Sequence, residues 1–166
     1  MTNQSNPPIG SEKIHTFFVD HLNRVYCAKS HLAERLPEIY EGAGFADLKY
    51  AIKETILSTE KQLARIDQIF ELLNVQYSFE KCQVLITFLE NSFAELQLHS
   101  NELQIRDLMI VGYLYQLDSV EMASSQILQF VTTGIINPQI KQLLKDNYNE
   151  AKAESALLLL LIEKYS

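Results

Sequence analysis

Apolar side chains return along most of this chain at intervals of three and four residues, the spacing that gathers them on one face of an α-helix. The lines predict four long helices and one short one. Helix A is expected to begin after Ser11, a good N-cap with Glu12 in the first turn, and to run to about Glu41, with Pro37 kinking it or dividing it in two. "EGAGF" ends it. Helix B covers about Ala46 to Leu73 on a line through Leu48, Ile52, Ile56, Leu63, Ile66 and Phe70, and "NVQYS" breaks the pattern. A shorter helical stretch runs from Phe79 to about His99, with Val84, Leu85, Phe88, Leu89, Phe93 and Leu96 as its apolar positions. Helix C is expected from about Asp107 to Thr133, and after "GIINP" helix D continues almost to the end.

At 1.5 Å per residue each long helix is roughly 40 Å, a length that buries its stripe by lying beside others. A short A–B loop, a long B–C connection and a short C–D loop predict an all-α, ferritin-like four-helix bundle, with the short extra helix in the B–C crossover. Residues 1–10 read as a flexible N-terminal tail, and residues 11–166 as a single helical bundle domain.

The apolar lines fail near the middle of every long helix. In helix A the line through Val25, Leu32 and Leu36 passes through Lys29. Helix B carries Thr55, Ser58, Thr59 and Gln62, helix C carries Asp118, Glu121 and Ser125, and helix D carries Glu150 and Ser155. Either these residues form one polar layer inside the bundle, or each reaches solvent at its helix edge.

With 166 residues, 47% of them hydrophobic and 21% charged, the chain fits one globular domain with one good core. Its net charge of −7, with no run of Lys or Arg, argues against nucleic acid and against anionic membrane surfaces as partners. Cys27 and Cys82 have no Cys-x-x-Cys spacing and are expected as reduced thiols. The opening "MTNQSNPPIG" lacks the apolar stretch of a signal peptide, and a cytoplasmic location is the expectation. The run from Ala156 to Ile162 is far short of the ~20 residues that span a bilayer. Leu157 to Ile162 nevertheless cover the whole helix circumference. The short crossover helix or a second subunit must cover the part that the bundle does not, and a homodimer is the preferred expectation.

Motifs for phosphate, dinucleotide, zinc or nucleophile-elbow chemistry are absent from the sequence. Glu12 and His15 have a Glu-x-x-His spacing but fall in the first helical turn, where they read as solvated. His21 and His31 are expected on the surface or against a partner. Cys27 is either a redox thiol or, as free cysteines usually are, a small buried hydrophobe.

"YCAKSHLAERLPEIYEGAGFADLKYAIKETILSTEKQLARIDQIFELL", residues 26–73, resembles the YciE/YciF family of bacterial ferritin-like proteins, and the likeness continues through "LDSVEMAS" and "LLKDNYNEAKAES". Tyr26, Ala28, Leu32, Leu36-Pro37, Leu48, Thr59, Gln62, Arg65, Phe70, Glu121, Ala123 and Leu143-Leu144 carry it. The resemblance implies a fold in which Glu, Asp and His from four helices hold two metal ions. It sets the family's helix A glutamate on Lys29 and an upstream aspartate on Arg24. The helix B histidine and glutamate fall on Thr55 and Ser58, and a helix D glutamate and aspartate on Ala151 and Ser155. Asp118, Glu121 and Glu150 remain acidic.

Thr and Ser hydroxyls are weak metal ligands, and an ammonium about 4 Å from a dication costs roughly 8 kcal/mol at an effective dielectric of 20. Lys29 is therefore expected to replace the metal as the positive charge that Asp118 and Glu121 require. The preferred function is a metal-free, cofactor-free ferritin-like protein with a non-enzymatic, stress-associated or interaction role. One alternative is a dimetal oxidase or peroxidase holding iron or manganese on Asp118, Glu121, Glu150 and Glu54 or Glu60. Another is a structural role within a larger assembly.

Overall fold

Pro37 does not divide the first helix. In the computed structural model, which describes residues 10–99, 101–132 and 137–165, α1 runs from Ser11 to Gly42 with Pro37 inside it. Gly10, not Ser11, is its N-cap, so Ser11 is the first helical residue. Helix α2 spans Ala46–Leu73 and ends where Asn74 takes a left-handed conformation, φ 53°, as short polar side chains do at a C-terminus. A 3₁₀ turn at Glu80–Cys82 leads into α3, Gln83–Leu98. Helix α4 is Leu103–Val131, four residues earlier at its start than the sequence pattern suggested, and α5 is Pro138–Tyr165. Asn137 Oδ1 accepts the Gln139 amide at 3.0 Å, so α5 opens with an Asn cap and a proline in its first position. Residues 1–9 of the expected tail, and most of "GIINP", lie outside the described residues.

Helix α1 packs against α2 and α4, and α5 packs against the same two, so the four long helices form a square. Contacts at one end set their directions. Asp107, near the start of α4, accepts the Gly44 and Phe45 amides at the end of α1, at 2.8 and 2.6 Å. Lys164, at the end of α5, pairs with Asp47 at the start of α2. Neighbouring helices are thus antiparallel, and the chain must cross the length of the bundle between α2 and α4, which is the ferritin-like arrangement. Helix α3 makes that crossing along α1 and α4. It runs in step with α1: Lys81 meets Asp20, Glu90 meets Arg35, and Gln97 meets Glu38.

The crossover corrects two expectations. Val84 and Phe88 are exposed, at 86% and 51%, whereas Leu89, Phe93 and Leu96 are buried. Cys27 and Cys82, expected as reduced thiols, are joined in a disulfide with Cα atoms 6.4 Å apart. They are 55 residues apart in sequence, and only the course of α3 beside α1 brings them together.

Two apolar clusters fill the bundle. One holds Leu32, Leu36, Ile39, Leu48, Ile52, Ile110, Leu114, Leu117 and Leu158 with the underside of α3. The other holds Phe18, Leu22, Val25, Ile66, Ile69, Leu128, Ile140 and Leu144. Near where the two clusters meet, the long helices bury Lys29, Thr55, Thr59, Gln62, Asp118, Glu121, Ser125 and Ser155.

Candidate functional site

The buried line on α1 runs Leu22, Val25, Lys29, Leu32 and Leu36, so helical geometry aims the Lys29 stem between the two apolar clusters. Lys29 is 2% exposed. Its Nζ lies 2.5 Å from Glu121 Oε2 on α4, and Glu121 is 1% exposed. Asp118, one turn before Glu121, is buried as well, and Glu154 on α5 acts on the same ammonium. Four helices contribute in all, because Gln62 of α2 donates to Glu154 Oε1 at 3.2 Å.

Burial opposes charge on Lys29, but Glu121, Glu154 and Asp118 together outweigh it and hold its pKa above the ordinary value. Burial pushes Asp118 up to about 8; Lys29 offsets part of that, while Glu154 and Glu121 add to it. Glu121 is also raised by burial, with Lys29 pulling it back. At neutral pH Asp118 is therefore largely protonated beside the Lys29–Glu121 pair. Lys29 Nζ, both Glu121 oxygens, Thr59 Oγ1, Gln62 Oε1 and Ser125 Oγ are buried without a hydrogen bond of normal geometry.

Of the ten residues the sequence assigned to this layer, Lys29, Thr55, Thr59, Gln62, Asp118, Glu121, Ser125 and Ser155 are buried, while Ser58 and Glu150 are only half-buried. Thr55 and Ser58 spend their hydroxyls on carbonyls of their own helix, at 3.0 and 3.1 Å. Glu150 is turned away from the centre and accepts two hydrogen bonds from Arg65, at 2.7 and 2.8 Å, which lower its pKa. Glu54 and Glu60 are exposed and face away from the layer. Glu12 and His15 are exposed in the first turn of α1, as expected.

Glu154 was missed. The buried line on α5 reads Leu144, Asn147, Ala151, Ser155 and Leu158; following it would have placed Glu154 beside Ser155 and moved Glu150 to the flank. His31 was missed for a different reason. It is 4% exposed rather than superficial, because α3 covers it. Its Nε2 meets the Tyr113 hydroxyl at 2.6 Å and its Nδ1 meets Glu90 at 3.1 Å. Arg35 forks onto the same carboxylate from one nitrogen, Nη2, which donates to both oxygens at 2.8 Å. His21 is half-buried, with its ring against Phe17.

The donor set does not suit the two metal ions of a dimetal bundle. Asp118, Glu121 and Glu154 share their space with a lysine ammonium, and His31 is engaged on the opposite side of α1. Among the described residues, no group of three or more His, Cys, Asp or Glu is arranged to hold a metal ion. No helix among them is long and apolar enough to cross a membrane.

Two solved structures share this architecture. The E. coli stress protein YciF superposes with a TM-score of 0.82 at 24% identity, over 92% of this chain and 96% of that one. YcfI, a putative structural protein from Rhodopseudomonas palustris, gives 0.72 at 21% identity, over 95% and 97% of the two chains. At these identities the likeness concerns the fold. No curated protein matches the chain. Residues 13–165 match the family described as a domain of unknown function, DUF892, and the chain therefore belongs to that YciF-like family.

Proposed function

We propose that this protein is a metal-free member of the ferritin-like bundles with a non-enzymatic role, acting through its surface in stress or in assembly. The observation that carries this reading is the Lys29–Glu121 pair at 2.5 Å, with Asp118 and Glu154 around it, at the centre of the four long helices. A protein cation there supplies the charge that a metal would supply. Of the alternative ligand set, only Asp118 and Glu121 are buried; Glu54 and Glu60 face outward and Glu150 is held by Arg65. The names of the two solved relatives, a stress protein and a putative structural protein, fit a surface role.

The surface is expected to act as a homodimer in the cytoplasm. Leu157, Leu159 and Leu160 on α5 are 38%, 42% and 62% exposed, and α3 lies against α1 and α4 instead of covering them. An apolar face of this kind is buried economically by a second copy. Metal analysis of protein purified from iron- and manganese-supplemented cells tests the proposal: only trace metal is expected, and near-stoichiometric iron or manganese would overturn it. Lys29→Glu, carrying a fourth carboxylate into the layer, should still bind no metal tightly. Sedimentation at tens of micromolar should report a dimer, and a monomer at that concentration would remove the dimer from the account.

A further inference from the structure

We propose that the Cys27–Cys82 disulfide is a reversible redox latch on the crossover helix α3. The pairing ties the middle of α1 to the 3₁₀ turn from which α3 starts, and both cysteines are 1% exposed. What makes it a latch is that no other side chain in the first two turns of α3 is fully buried, Leu85 being only partly covered. From Gln83 to Phe88 no residue is fully buried; the first buried side chain is Leu89. Neither the 3₁₀ turn nor α3 has a side-chain cap. The other ties to α1 there are the Ser78 amide to Asn23 Oδ1 at 2.7 Å, the exposed Lys81–Asp20 pair, and the Tyr26 ring, which stacks on Tyr77 at 4.6 Å and meets Phe79 at 6.1 Å. Farther along, α3 is held by Leu89, Phe93 and Leu96 and by Glu90, which meets Arg35 and His31. The cross-link is therefore the one fully buried anchor of the first two turns.

The reduced state is accommodated as well. The Cys82 sulfur lies 3.3 Å from the Asn23 carbonyl, so a thiol formed there has an acceptor and need not be a buried orphan donor. A small dithiol reduces the bond: its thiolate attacks one sulfur, the Cys27–Cys82 bond breaks, and the reagent's second thiol displaces the protein thiol, leaving as a cyclic disulfide. Two electrons and two protons remain on the Cys27 and Cys82 thiols. Because both sulfurs are covered, attack must wait for the non-helical segment 74–79 and the 3₁₀ turn to open. Once reduced, the start of α3 can open without carrying Cys27 with it, while α1 and α2 stay folded. The segment that then loosens, 79–88, carries the exposed Val84 and Phe88. Cytosolic thiol pools keep disulfides reduced, so in that compartment the latch would close under oxidative conditions.

Thiol titration of the denatured full-length protein and hydrogen exchange resolved by peptide test this directly. Aerobically purified protein should show no free thiol, and two after dithiothreitol. Reduction should speed exchange in 79–88 tenfold or more, leave 103–131 within about twofold, and reverse on reoxidation. Cys82→Ser should reproduce the reduced pattern, with an unchanged helical circular dichroism spectrum showing that it folds. Two free thiols that oxidised glutathione cannot pair, or unchanged exchange in 79–88, would overturn the proposal. Equal acceleration in every helix would also overturn it, since the cross-link would then be a global staple.

Discussion

Lys29 and His31 are two residues apart on α1, and each is buried against a carboxylate, yet the two sites are built differently. Lys29 points into the bundle and meets Glu121 in a pair from which solvent is excluded, and neither partner has a hydrogen bond of normal geometry. His31 points outward beneath α3 and joins a connected chain, with Tyr113 on one ring nitrogen and Glu90 on the other. Glu90 also receives both bonds of the Arg35 fork and is 39% exposed, so water completes what the protein does not. Burial acts on both sites, but only the second answers it with hydrogen bonds of normal geometry. A buried pair costs more to break than to replace as a unit, because one partner alone leaves a charge uncompensated. A half-solvated network loses only its bonds.

The largest expected effect is at the inner site. Lys29→Met should destabilise by about 3 to 5 kcal/mol in urea unfolding, the usual cost of leaving a buried carboxylate without its partner. A loss below about 0.5 kcal/mol would mean that the layer is solvated after all.

The second break separates the two sites by pH. Asp118 has a folded pKa of about 8 against an ordinary value of 3.8, so the folded state binds more protons between those values. Its contribution to stability is full at low pH and falls as pH rises through that window, by at most about 1.4 kcal/mol per unit. Burial lowers the His31 pKa, with Glu90 opposing, so its contribution has the opposite sign. That part is present above pH of about 6.5 and is lost as pH falls through the folded value. Asp118→Asn should remove the fall towards pH 8, and His31→Gln should flatten the acid side. Identical slopes in wild type and variants would refute the assignments.

His31→Phe, which fits a ring but orphans the Tyr113 hydroxyl, should cost about 1 to 3 kcal/mol, smaller than Lys29→Met. The smallest effect belongs to Arg65→Ala on the flank, where the pair with Glu150 is a quarter to a third exposed and should yield less than about 1 kcal/mol. An Arg65 effect matching that of Lys29 would show that burial does not set the scale.

What the sequence revealed of this contrast follows from what periodicity encodes. A period of 3.6 places a residue on a face, which is why Lys29, Asp118 and Glu121 could be assigned to the interior and why α2 was bounded at Ala46 and Leu73. It weakens where a face is shared or unpartnered. Leu103 and Ile105, exposed at the start of α4, extend no apolar line, and the expected start at Asp107 was really the acceptor for the Gly44 and Phe45 amides. Periodicity says nothing about partners. His31 and Cys27 look like ordinary α1 residues until α3 is laid along that helix, and the 55-residue separation of the cysteines hides their pairing. Glu150 was misplaced because one residue on a helix is about 100° of rotation, enough to move a carboxylate from the layer to the flank.

The central claim is that Lys29 is present to neutralise the buried Glu121 carboxylate of α4, and a double-mutant cycle tests it most directly. Urea unfolding of Lys29→Met, Glu121→Gln and the double variant, all at pH 7, gives the coupling between the two side chains. The account predicts that the double variant is more stable than Lys29→Met alone, recovering about 1 to 3 kcal/mol of the loss. Additive losses, with no coupling beyond about 0.5 kcal/mol, would contradict it.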